Sequence, residues 1–228
     1  MRDNDRINFV FRLQIWQFLT LTAIAFWLAG CSSTAYHKRT VAARSMNDAA
    51  ADIQGEDHAL EATMSSVDDL VKNPAPDLRP QLKRFSDSLD RLVAAANRAE
   101  ASHRRMAQEN AAYFAEWDKQ LASMKFDAVR NGSETHKAEV TNHVETVNRR
   151  CLETDAAVGP LILYLQDIRA ALRADLTPGG LDAVKSVVAN ADQNADKLKL
   201  VLTQLASDIS TSNSTKSPMA SAAAGSTP

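Results

Sequence analysis

The side chains that could do chemistry in this 228-residue chain are few: five histidines and two cysteines, set among 28 acidic and 26 basic residues. A helical metal site needs its ligands on one face at close spacing. His37, His58, His103, His136 and His143 form no i,i+4 pair and no His-Glu-x-x-His. His136 and His143 share a face but lie two turns apart, too far to chelate one ion together. Glu139 with His143 reads as a surface pair. There is no nucleophile elbow, no phosphate-cradling glycine loop and no Cys-x-x-Cys. The expectation is a chain that is not an enzyme and carries no cofactor or metal.

Cys31 has a different context. Arg2, Arg6 and Arg12 precede an apolar stretch from Leu13 to Ala29, which ends Leu28-Ala29-Gly30-Cys31. A basic start, an apolar run and small residues before a cleavage point form a secretory signal. The last four residues resemble a bacterial lipobox, in which a signal peptidase cuts before a cysteine that carries a diacylglyceryl group. Leu28, Ala29 and Gly30 would then be the peptidase recognition residues and Cys31 the lipidation site. The competing reading is an uncleaved transmembrane anchor, since roughly 17 apolar-leaning residues approach the spanning length. Gln14 and Gln17 make that span poor. Two or three acyl chains would hold the protein firmly, at about 0.8 kcal/mol per buried CH₂. Ser32, where an Asp would favour inner-membrane retention, points to the outer membrane, with the body facing the periplasm.

Removing residues 1–30 leaves 23 basic and 26 acidic residues, moving the formal charge from -2 to -3. That balance argues against a nucleic-acid binder. A chain 45% hydrophobic and 24% charged is neither wholly disordered nor a polytopic membrane protein. Two cysteines exclude a disulfide scaffold. Six of the 13 aromatics fall in the first 27 residues, so the body is built on Leu, Val and Ala.

The elements that would carry these residues follow from punctuation and period. Asn73-Pro74-Ala75-Pro76, Asn131-Gly132 and Thr177-Pro178-Gly179-Gly180 mark breaks. Between Gln81 and Asn131 there is neither Gly nor Pro, which predicts one uninterrupted helix. Apolar residues recur alternately at three and four positions. The first segment has Met46, Ile53, Leu60 and Val67, with Ala50, Asp57, Met64 and Val71 four residues behind. The second runs Leu78, Leu82, Phe85, Leu89, Leu92, Ala96, Ala99, His103, Met106, Asn110, Tyr113, Trp117. The third runs from Val140 through Cys151, Thr154 and Leu161 to Leu172, and the fourth from Leu181 to Ile209. That average of 3.5 keeps one seam facing a partner helix. Asp77 can cap the second helix, with Pro80 in its first turn. Gly132 can close it, Ser133 can open the third, and Thr177-Pro178 the fourth. Pro160 should kink the third helix, and Ala95, Ala96 and Ala99 permit close approach.

The fold class expected is all-α: an elongated antiparallel bundle or coiled coil of about four helices over residues 31–209. A disordered Ser/Thr/Ala-rich tail over 210–228 follows it. At about 1.5 Å per residue the long helices make a rod of roughly 60–70 Å. His103 and Asn110 sit on the seam, where polar residues fix register, and Cys151 reads as a buried inert thiol. Tyr36-His37-Lys38-Arg39 places a basic cluster close to the lipid. Tyr113, Phe114 and Trp117 concentrate aromatics within two turns.

Three elements carry a resemblance: His37-Lys38-Arg39, Phe114-Ala115-Glu116-Trp117-Asp118, and Pro160-Leu161-Ile162 followed by Asp167 and Leu172-Arg173-Ala174-Asp175-Leu176. Over about residues 35–208 the chain resembles a family of bacterial cell-envelope lipoproteins defined by a helical coiled-coil domain of unknown function. It departs where the family usually continues acidic, with Thr40-Val41-Ala42-Ala43-Arg44 here. The resemblance implies the helical layout and no activity, substrate or catalytic residue. The functional expectation is a membrane-anchored scaffold, spacer or adaptor of the envelope. A periplasmic helical binding protein or chaperone is the alternative. Partners expected are the membrane through the lipid and an envelope protein or a second copy, with no nucleic acid.

Overall fold

The structure, a computed structural model, describes the backbone of residues 4–215 and the side chains of residues 34–211. The side chains of Leu28, Ala29, Gly30 and Cys31 and the tail from 216 onward lie outside the described residues. Four helices make up the chain: α1 (Asn4–Lys72), α2 (Arg79–Ser123), α3 (Asp127–Ala174) and α4 (Pro178–Thr215). Short connections force successive helices antiparallel. α1 packs on α2 and α4, and α3 packs on the same two, so the four axes form a ring around one seam. α2 has 45 residues and α3 has 48, which at about 1.5 Å each are rods of roughly 70 Å.

On α3 and α4 the seam residues are where the heptads put them, whereas on α2 Leu82, Ala96, Tyr113 and Trp117 are only half-buried. All ten on α3, Val140 to Leu172, are buried, as is the α4 series from Leu181 to Ile209. α1 shows more than its two expected columns. A third, Ala42, Ala49, Glu56, Thr63 and Leu70, is also buried, because α1 faces two neighbours and needs a wider inward stripe. α4 runs to Thr215, past the end of its seam.

One boundary differs from the sequence expectation. The α2–α3 turn is Met124-Lys125-Phe126, and Asn131-Gly132 lies inside α3. Gly132 therefore closes no helix and Ser133 opens none. Met124 N–H donates to Leu121 O at 3.1 Å to end α2, and Phe126 is extended at φ -100° and ψ 117°. No described glycine takes a positive φ, so Gly132 is an ordinary helical residue.

The start of α2 also departs from the expectation. Leu78, not Asp77, flanks the helix and makes no side-chain cap, while Asp77 Oδ1 one residue earlier accepts the Arg79 N–H at 3.2 Å. Thr177 Oγ1 accepts the Gly180 N–H at 3.3 Å, satisfying an otherwise orphaned first-turn donor. Gln81 ties the α1–α2 connection down. Its Oε1 accepts Ala75 N–H at 2.9 Å, and its Nε2 donates to Asn73 O at 2.9 Å and to Asp69 Oδ2 at 3.0 Å. Pro160 lies within α3 without ending it, leaving the Ala156 carbonyl without its usual i+4 donor.

Candidate functional site

Polar residues break the apolar seam in one layer near mid-rod. α2 brings His103 inward at a seam position, α3 brings Asp155 beside the seam residue Thr154, and α1 brings Glu56 from its third column. His103 is 4% exposed and Glu56 2%. His103 Nδ1 lies 3.0 Å from Asp155 Oδ1 and 3.2 Å from Oδ2. One turn away, Ser102 Oγ donates to Asp52 Oδ2, linking α2 to α1.

The charges of this layer are coupled. Burial opposes the imidazolium of His103, but the hydrogen bond to Asp155, with Cys151 close by, outweighs it and raises its pKa to about 10. Burial works on Glu56 in the other direction, and with the Asp155 carboxylate it pushes the pKa up to about 7 against the pull of His103. Near neutral pH the layer therefore holds a charged His103–Asp155 pair beside a glutamate that is part protonated. Glu56 Oε2 and His103 Nε2 are buried with no hydrogen-bond partner among the described residues.

Cys151 completes a Cys-His-Asp set on a shallow groove of about 200 Å³ between α2 and α3. Thiol catalysis needs the base aimed at the sulfur and the sulfur open to substrate. Here Cys151 is buried and one face of the imidazole is spent on Asp155. The arrangement can hold and redistribute a proton inside the bundle. It presents no nucleophile to a ligand.

A second cluster lies toward the α2–α3 turn. Trp117 Nε1 donates to Ser133 Oγ at 3.0 Å, and its ring centroid is 5.5 Å from that of Tyr113 and 5.6 Å from that of His136. Trp117 is half-buried, bolting α2 to α3. Burial raises the Tyr113 phenol, with nearby Arg39 of α1 opposing. His136 lies 3.8 Å from Glu139, so Glu139 turns toward His136 rather than His143. Among the described residues no group of His, Cys, Asp and Glu could hold a metal ion. No described helix is long and apolar enough to cross a membrane.

The family described as Protein of unknown function (DUF2959) matches residues 28–216. The chain belongs to this family. No curated protein and no solved structure matches it. The DUF2959 match covers α1 from Leu28 onward and the whole of α2, α3 and α4, and includes both the polar layer and the aromatic cluster. It begins at Leu28, so Cys31 is inside the family's extent.

Sequence spacing pointed to His103, Asn110 and Cys151, and all three are buried. It missed Glu56 and Asp155. Glu56 was findable through the heptad Ala42, Ala49, Glu56, Thr63, Leu70. Asp155 pairs with a residue 52 positions away, which local spacing cannot show.

Proposed function

We propose that this DUF2959 member is a lipid-anchored, non-enzymatic envelope protein that acts as a scaffold, spacer or adaptor. Cys31 carries the lipid, and the bundle projects from the outer membrane into the periplasm. The observation that supports this most directly is a rod held by one continuous apolar seam, with no pocket enclosing convergent polar side chains open to a ligand among the described residues. The lipobox-like Leu28-Ala29-Gly30-Cys31 lies next to one end of that rod. A body of roughly 70 Å can meet the cell wall or a partner at a fixed distance from the membrane. The test is metabolic labelling with a palmitate analogue. Label should enter the wild-type chain and not Cys31→Ser, and label entering neither or both alike would overturn the anchoring.

A second reading, a helical binding protein for envelope clients, has its own support. Leu152 and Leu163 on α3 and Leu200 and Val201 on α4 are exposed. Part of that surface borders an open groove of about 560 Å³ beside Pro160. In-cell crosslinking from position 163 separates the two. Many unrelated partners favour the binder, and one recurrent partner favours the adaptor.

A further inference from the structure

The two ends of the rod differ in a way the seam does not require. The pairs Asp69–Arg84, Ser66–Ser88 and Asp52–Ser102 set the antiparallel register of α1 on α2. That register puts Thr34 level with about position 120 of α2, so Phe126 lies roughly 9 Å further along the axis. Cys31 precedes Thr34 by three residues, a tether of at most about 11 Å. The α2–α3 turn and the lipidation site are therefore confined to the same end and to similar depth.

That end exposes large apolar side chains: Phe126 is 76% exposed, Tyr36 72% and Val129 60%. The opposite end, formed by the connections 73–78 and 175–177, exposes none among the described residues. Charge follows the same polarity. Positions 34–44 hold Lys38, Arg39 and Arg44 and no carboxylate. At the turn, the carboxylates of Glu116, Asp118 and Asp127 are engaged by Lys119, Lys137 and Arg130, while Lys125 is exposed. A tip carrying an aromatic and a branched apolar side chain, with Lys125 beside it and Lys38 about 15 Å behind, matches the headgroup layer of an anionic bilayer.

We propose that the α2–α3 turn is a second membrane contact. Phe126 and Val129 enter the interface of an anionic lipid bilayer, with Lys125 beside them and Lys38 further back toward lipid phosphates. This rests on the lipid-anchored reading and deepens it. Acyl chains on α1 leave the rod free to swing, whereas a second contact on a different helix holds it upright. Because one contact is covalent, the other acts at high local concentration and need not be strong.

The test uses the full-length protein reconstituted in phosphatidylethanolamine–phosphatidylglycerol vesicles containing phospholipid brominated near the glycerol end of its chains. Tryptophan emission is compared among the unsubstituted protein, Phe126→Trp and Asp182→Trp at the far end, with flotation measured in parallel. Both substituted sites are exposed, so neither change disturbs the seam. The expected result is that the emission added by Phe126→Trp is quenched by more than half and that added by Asp182→Trp is untouched. Combining Phe126→Trp with Lys125→Glu and Lys38→Glu should relieve the quenching. If the chain floats and the two sites are equally unquenched, the tip contact is overturned while the anchor stands. If it does not float, both readings fall. Quenching at position 126 in a floating chain that incorporates no lipid label upholds the tip and removes the acyl anchor.

Discussion

His103 and Asp155, 52 residues apart in sequence, meet at 3.0 Å across α2 and α3 with the histidine almost wholly buried. Breaking a buried ion pair from one side leaves a desolvated charge behind. His103→Ala should therefore destabilise the bundle by about 3 kcal/mol, read from urea midpoints at pH 7. The pair has a signed pH dependence. Its histidine pKa is raised from 6.5 to about 10, so its stabilisation is complete below pH 6.5 and is lost as pH rises toward 10. The stability gap between wild type and His103→Ala should shrink between pH 7 and 10. A gap that is constant over that range would remove the ion pair as the cause.

Glu56 has the same sign of pH dependence in a lower window, but as a cost rather than a stabilisation. Its carboxyl is raised from 4.5 to about 7, so the folded state holds a proton that the unfolded chain releases. The cost of charging it is fully present above pH 7, is relieved as pH falls through that value, and is gone below 4.5. The displacement corresponds to about 3 kcal/mol. Glu56→Gln should be more stable than wild type at pH 8 and level with it near pH 4. Thermal melts of the two proteins across that range are the check.

Gln81 is a structural residue whose loss should be felt locally. It spends both ends of its amide on the α1–α2 connection, reaching Ala75, Asn73 and Asp69. Gln81→Ala leaves the half-buried Ala75 N–H and the Asn73 carbonyl without this partner and should cost about 1 kcal/mol. Amide exchange should quicken at residues 73–78 and stay unchanged at the Phe126 end. Uniform acceleration along the chain would show that Gln81 supports the whole bundle instead.

How much of this was legible follows from where the information sits. Heptads name inward residues because burial is periodic along each helix, so Val140 to Leu172 and Leu181 to Ile209 could be read directly. On α1 the two columns that start at Met46 and Ala50 are not enough: contact with two neighbours demands three, and Glu56 stands in the third. The polar layer was half legible: His103 interrupts an apolar series, whereas Asp155 looks like any residue flanking a seam. The α2–α3 turn was not legible, since Met124-Lys125-Phe126 contains no breaker. It ends α2 through the extended backbone of Met124 and Phe126, not through glycine chemistry.

Gly132 tests that boundary. If it closed a helix in the left-handed region, a side chain there would be strained and Gly132→Ala would destabilise. In the structure Gly132 is inside α3 without a positive φ, and a Cβ built on it meets nothing within 4 Å. Replacing glycine by alanine in an open helix interior lowers the entropy lost on folding, a gain of about 0.5–1 kcal/mol. Gly132→Ala should therefore raise the melting temperature and slow amide exchange over residues 128–136, with Trp117 emission unchanged. A lowered melting temperature would return the break to Asn131-Gly132. It would also take Phe126 off the tip of the rod, and the proposed membrane contact with it.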